Sequence, residues 1–293
     1  DLIITAGTLT TLDQDGSTSR NLTVAGDVEI NGSSSVLTTH ASAVTIRSLT
    51  TTSSGVYNAT THANGTIVTG RHASSGKGLS IGGVSSIVHN NGKFVFQGSS
   101  VGVQEIAING TATSTVGLYD VEINSTATYD CAQQSAITIY NNLTITAGEL
   151  TTHATHDYAL TVTGGVSGAG TLTTNASAIS FGYLIMTGTY NATTHANGTI
   201  LTDRKPATGA QLFMDVGKIV HNNGYFVFKG AAGGDSYIGL NGASDATNGF
   251  YNVEIHASGR TVNIAASNLT IHNNLYVTIG TLDTTTYDLT VTG

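Results

Sequence analysis

Histidine is the residue type in this chain with the most obvious chemical potential, and its placement is repetitive. The decamer YNATTHANGT occupies Tyr57–Thr66 and returns letter for letter at Tyr190–Thr199, so His62 and His195 hold the same place in two copies. His89 and His221 match in the same way inside IVHNNG. A catalytic or ligating imidazole needs convergent partners, yet the neighbours here are Thr, Ala and Asn. The expectation is a corner side chain that bonds the backbone.

Three further clusters could do chemistry. His153, His156 and Asp157 form H-x-x-H-D, which would offer two imidazoles and a carboxylate to a metal ion. The corresponding stretch later in the chain, DTTTY at Asp283–Tyr287, lacks both histidines. In LDQDGSTS, Asp13, Asp15 and Ser17 stand at alternate positions around Gly16, as oxygens do in calcium loops. The distal bidentate Glu of such loops is missing, which favours an acidic turn in solvent. Glu122 and Glu254 are equivalent in the repeat, with Asp120 opposite Asn252. Paired carboxylates carry glycoside chemistry, but only the Glu persists in both copies. SSGKGLS (Ser74–Ser80) lacks the hydroxyl residue that follows the lysine of a phosphate-binding loop. The expectation is therefore no catalytic residue, no cofactor and no metal, with Asp13, Asp15 and Ser17 and the His153, His156 and Asp157 set as the metal candidates.

Composition narrows the function classes. Charged residues make up 10% of 293, against roughly 25% in an ordinary soluble domain. The net charge is -8, and the 10 Lys and Arg are scattered, so the basic stripe of a nucleic-acid binder is missing. No apolar run approaches the length of a membrane-spanning helix, so no membrane insertion is expected. Cys131 is the one cysteine, which rules out a disulfide framework or a thiolate cluster. It reads as a small, partly buried residue. Residues 1–20 carry no basic-then-apolar leader. With Asp1 in first place, the chain is expected to be processed or a piece of something longer. Eleven N-x-[ST] matches occur, a modest excess over chance in so Ser- and Thr-rich a chain, and they matter only in a host that glycosylates them.

These clusters must be held by elements, and the elements repeat. IVHNNGKFVFQG (Ile87–Gly98) aligns with IVHNNGYFVFKG (Ile219–Gly230) at an offset of 219 − 87 = 132. NNLTITAGEL (Asn141–Leu150) aligns with NNLYVTIGTL (Asn273–Leu282) at 273 − 141 = 132, and the decamers at 190 − 57 = 133. LIITAGTLTT (Leu2–Thr11) resembles LTITAGELTT (Leu143–Thr152). The expected organisation is a first β-repeat unit over 1–140, a second over 141–272 and the start of a third, truncated unit over 273–293.

Short runs that alternate apolar residues with Thr, such as NLTVAG and ALTVTGG, recur every 14–20 residues and close on Gly or Asn. That is the signature of half-buried strands. Eight Asn-Gly dipeptides mark turns, and no segment shows helical periodicity. The predicted fold is all-β, a parallel β-solenoid with one rung per 14–20 residues. The alternative is an array of β-sandwich domains, kept open by HNNGKFVF, which has the look of a hairpin.

GTLDTTTYDLTVTG (Gly280–Gly293) and NNLTITAGEL resemble the β-strand-repeat surface and adhesin proteins of bacteria and the β-helical fibre or spike proteins of bacteriophages. The resemblance implies a non-catalytic, extracellular structural protein, part of a virion appendage or surface filament, that self-associates into a fibre, filament or coat and meets surface glycans. Two alternatives stand beside it. One is a carbohydrate-active enzyme, lyase-like, on a β-helix, which would need three or more acids with a Lys or Arg on one face. The other is an ice-binding protein, which would need a flat, regular Thr array.

Overall fold

The structure is a computed structural model that describes residues 1–98, 104–109, 113–131, 136–230, 234–241 and 245–293, the side chains of 127–131 excepted. The side chain of Cys131, expected to be partly buried, thus lies outside the described residues. Among those described there is no helix. The strands pair in parallel, coil upon coil, as a β-solenoid of about 12 turns. β-Sandwiches are antiparallel, so the sandwich array is set aside.

The chain divides into two compact units, Asp1–Asn141 with Thr146–Leu150, and Asn142–Ile145 with Thr151–Gly293. In the first unit three ladders of inward side chains run from coil to coil. Leu22, Val44, Thr66, Phe94 and Val121 stack in register along one ladder. Ile4, Ile30, Thr51, Ile81 and Ile108 form the second. Leu9, Leu37, Tyr57 and Ile87 form the third. The second unit repeats the scheme with Leu160, Ile179, Thr199, Phe226, Val253 and Leu275. A further ladder there holds Leu172, Tyr190 and Ile219. Because successive strand residues face opposite sides, most Val, Ile and Leu of these runs turn inward, while Thr stands on both sides: Thr23 is exposed, but Thr51, Thr66 and Thr199 are fully buried in the ladders. Burying each large apolar side chain contributes roughly 1.5–3 kcal/mol before entropy is counted.

Two sequence expectations need correction. Coil length varies and in places exceeds 14–20 residues: Leu160 pairs with Ile179, 179 − 160 = 19 residues on, within that range, but Val44 pairs with Thr66, 66 − 44 = 22 on, and Thr66 with Phe94, 94 − 66 = 28 on. Each coil turns three corners, and the L-T-[VI] runs recur on more than one ladder. Leu160 belongs to the ladder ending on Leu275, whereas Leu269 pairs with Leu289 in another. Spacing between runs therefore counted strands rather than coils.

HNNGKFVF is a corner and not a hairpin. The strand Ser86–Val88 pairs with Val56–Asn58, while Lys93–Phe96 pairs with the strands of Thr66 and Val121. Asn90 and Asn91 take φ of 48° and 57°, and Asn222 and Asn223 take 48° and 56°. Asn accepts this left-handed region better than most residues, which lets the chain bend between faces without the two strands meeting.

Candidate functional site

Histidines sit at the corners in a recurring local motif. The amide of the residue two positions on donates to the imidazole Nδ1 at His62 (from Asn64, 3.1 Å), His89 (Asn91, 3.0 Å), His195 (Asn197, 3.1 Å) and His221 (Asn223, 3.0 Å). His72 and His153 do the same with Ser74 and Thr155 at 3.3 and 3.2 Å. This is the job an Asn or Asp side chain does in an Asx-turn. His89 and His221 also donate from Nε2 to the carbonyls of Ser114 and Ala246, at 2.9 and 3.0 Å. Both ring nitrogens are then engaged, and the ring is the neutral tautomer that carries its proton on Nε2. Burial lowers the pKa of His221, with the Ala246 carbonyl opposing the shift.

The decamer resolves into the same logic. Tyr57 and Tyr190 are fully buried, and their phenol oxygens lie 2.6 Å from Thr66 and Thr199 respectively. Thr60 and Thr193 donate to the carbonyls of Ser42 and Ser177 at 2.7 Å and accept from the amides of His62 and His195 at 3.0 Å. Nine-residue spacing thus links a core phenol to the next strand, and the histidine closes the corner between them.

The two metal candidates have different fates. In the Asp13 loop, Asp13 accepts from the amides of Ser17 and Thr18 at 3.0 Å, and Asp15 accepts from the Ser17 hydroxyl at 2.6 Å. The hydrogen bond with Asp15 is the largest influence holding the Asp13 carboxyl down to about 2. Its oxygens serve the turn they belong to. His153 and His156 do come together, Nδ1 to Nδ1 at 3.1 Å, with His156 stacked on Tyr158 and Asp157 exposed. Among the described residues no three His, Cys, Asp or Glu side chains converge on a point that could hold a metal.

The duplicated glutamates anchor outward ladders. Glu122 accepts from Lys93 Nζ at 2.9 Å and from Thr146 at 3.0 Å. Glu254 accepts from the Tyr225 phenol at 2.8 Å and from Thr278 at 2.7 Å. The bonds from Thr278 and Tyr225 lower the Glu254 pKa, and burial beside a carboxylate raises that of Tyr225. Around Glu254 the surface is concave. Two adjoining hollows of 410 and 320 Å³ share Ala196 and Tyr225 as lining. Their walls carry His195, Asn223 and Tyr276 on one side and Lys229, Glu254 and His256 on the other.

No family model, curated protein or solved structure matches this chain.

One cluster was missed by sequence reasoning. Asp27 is buried in the first unit and receives Arg47 Nε and Nη2 at 2.8 and 2.5 Å and the Ser48 hydroxyl at 2.6 Å. His72 Nε2 stands 3.2 Å from Glu29 and 3.8 Å from Asp27, and Asp1 lies 3.8 Å from Arg47. Burial alone would raise the Asp27 pKa; the bonds from Arg47 and Ser48 outweigh it and hold the group at about 2. The signal was divergence between copies. LTVAGDVEI (Leu22–Ile30) matches LTVTGGVSG (Leu160–Gly168), where Gly165 replaces Asp27 and Ser167 replaces Glu29.

Proposed function

We propose that this chain is a non-catalytic structural protein, a β-solenoid that serves outside the cell as part of a virion appendage or surface filament and associates with further copies or coat components. The observation that carries this reading is the use made of the residues that repeat without change. Tyr57 and Tyr190, Thr60 and Thr193, and His62 and His195 are all spent on strand-to-strand and corner bonds. Duplication preserved what holds one coil on the next. The low charge density fits a surface built of hydroxyls and amides. Electron microscopy of the native assembly with antibody labelling tests the proposal. Label on a filament, envelope or virion appendage is expected; a freely diffusing intracellular monomer would overturn it.

The second reading, a lyase-like carbohydrate-active enzyme, has one observation in its favour. Asp1, Asp27 and Glu29 with Arg47 supply three acids and a cation in one place. A general base needs a free lone pair, however, and Asp27 spends its oxygens on Arg47 and Ser48. Incubation with acidic polysaccharides is expected to release no unsaturated product, and release of one would favour the enzyme.

A further inference from the structure

The two copies agree inward and disagree outward at one place. Around Glu254 the second unit carries Tyr225 and Tyr276, whereas the equivalent positions of the first copy, 132 residues earlier, carry Lys93 and Thr144. In the first unit the glutamate is closed off by an ion pair, Lys93 Nζ to Glu122 at 2.9 Å. In the second, the Tyr225 phenol takes that place on Glu254 and leaves an aromatic ring as lining of both hollows. Tyr276 stands 47% exposed with its ring centre 6.4 Å from that of Tyr225, tilted by 60°. A single exposed tyrosine needs no explanation alone. A pair flanking a carboxylate in a concave surface does.

We propose that this groove binds a neutral oligosaccharide chain of flat, equatorially substituted pyranoses. The ring faces of Tyr225 and Tyr276 carry the negative side of the aromatic quadrupole, which suits the C–H face of such a sugar. Glu254 stays ionised and accepts from sugar hydroxyls, while Lys229 and the His195 and Asn223 wall supply donors. Each hollow is of small-molecule size, within the ~300–1,000 Å³ of typical ligand sites. They adjoin, so the occupant is extended rather than a single ring. A concave surface with aromatic lining and a few convergent polar groups is the general form of a specific site. Charge favours the neutral class: Lys229 and Glu254 line the same hollow and offset one another, the other hollow is lined, among the described residues, by no acid and no Lys or Arg, and the chain carries -8. An acidic sugar gains no unpaired cation there. The site is independent of whether the chain belongs to an appendage.

The test is isothermal titration calorimetry of the full 293-residue chain with cellohexaose and, separately, with a galacturonate hexamer. Saturable binding of cellohexaose is expected, with little or none of the acidic hexamer. Tyr276→Ala should weaken binding at least tenfold, while Tyr276→Phe, which keeps the ring, should stay within about threefold of the parent. Because Tyr276 is exposed, both variants are expected to fold, and circular dichroism verifies it. Thr144→Ala, at the first copy's equivalent position, should leave the affinity unchanged. No saturation with cellohexaose at millimolar concentration, unaltered affinity in Tyr276→Ala, or preference for the acidic hexamer would each overturn the proposal.

Discussion

The phenol oxygen of Tyr190 lies 2.6 Å from the hydroxyl of Thr199, and both side chains are wholly closed to solvent. The Thr174 hydroxyl approaches the same phenol at 3.4 Å. Phe181 and Phe226 meet the ring edge-on at 6.2 and 6.1 Å. Tyr190→Phe would keep the packing and orphan the Thr199 hydroxyl, at a cost of about 1–3 kcal/mol. Tyr190→Ala would add a cavity and cost about 3–5 kcal/mol. Urea unfolding of the two variants checks the order. Burial pushes the phenol up to about 12, against bonds from Thr174 and Thr199 that pull it down. A neutral acid with a raised folded pKa stabilises fully below its unfolded value near 10 and loses that contribution as pH rises toward 12. Stability should thus fall on the alkaline side above about pH 10.

Arg47 is the partner that makes a buried Asp27 tolerable. Removing it in Arg47→Ala strands a carboxylate whose side chain is only 5% exposed. Breaking a fully buried pair costs about 3–5 kcal/mol; with Arg47 itself 36% open to solvent, a clearly smaller loss is expected. Asp27→Asn, which keeps an acceptor for Ser48, should cost less. The Asp27 pKa of about 2 lies below the unfolded value, so its contribution is complete above about pH 4 and is lost as pH falls toward 2. A chemical-denaturation series across acid pH, parent against Asp27→Asn, checks both claims.

The corner at His221 should weaken at mildly acid pH. Its Nδ1 must stay unprotonated to accept from Asn223, and Nε2 donates to Ala246. Tyr251 and His272 face the ring, and among the described residues Asp245 is the acid that favours its charged form. With burial lowering the folded pKa, the corner is fully stabilising above the unfolded value near 6.5 and loses strength as pH falls below it. Melting temperature should hold above about pH 6.5 and drop as pH falls below it toward about 5. His221→Asn, an acceptor that does not titrate, should flatten that slope.

Two glycines with the same backbone sign should respond differently to alanine. Gly198 has φ +67° and Gly259 +65°, so each substitution carries about 1–2 kcal/mol of left-handed strain. At Gly259 an added Cβ meets nothing within 4 Å, whereas at Gly198 it would lie 2.1 Å from the Tyr225 carbonyl oxygen. Gly198→Ala is expected to be clearly the worse of the two in thermal denaturation, because backbone must move to admit it.

The inward half of the molecule was legible because it obeys a period. In runs such as Leu160–Val162 the alternation of Leu and Val with Thr marks the buried side, although Thr66 and Thr199 turn inward, and an exact repeat such as the decamer marks a structural tile. The ladder order was less legible. The same L-T-V run serves Leu160 and a similar one Leu269 in different stacks, and only their pairing partners distinguish them. Asp27, Arg47 and His72 were hidden for the opposite reason: they are scattered over 72 − 27 = 45 residues and meet only when three coils stack. The groove residues Tyr225 and Tyr276 were visible as departures from the first copy, but a departure gains meaning only once both are seen to flank Glu254.

The lock between Asp27 and Arg47 bears on a hazard that duplication brings. A folding chain with two copies of YNATTHANGT has two addresses for every strand, and a segment of one copy can seek the partners of the other. Gly165 and Gly182 stand where Asp27 and Arg47 would be in the second copy. A strand carrying the aspartate therefore finds its guanidinium in only one of the two places. As a hypothesis, the ion pair works as a postcode for the first copy. Replacing both residues with Gly should lower the yield of correctly refolded protein more than it lowers equilibrium stability, and equal losses would count against the idea.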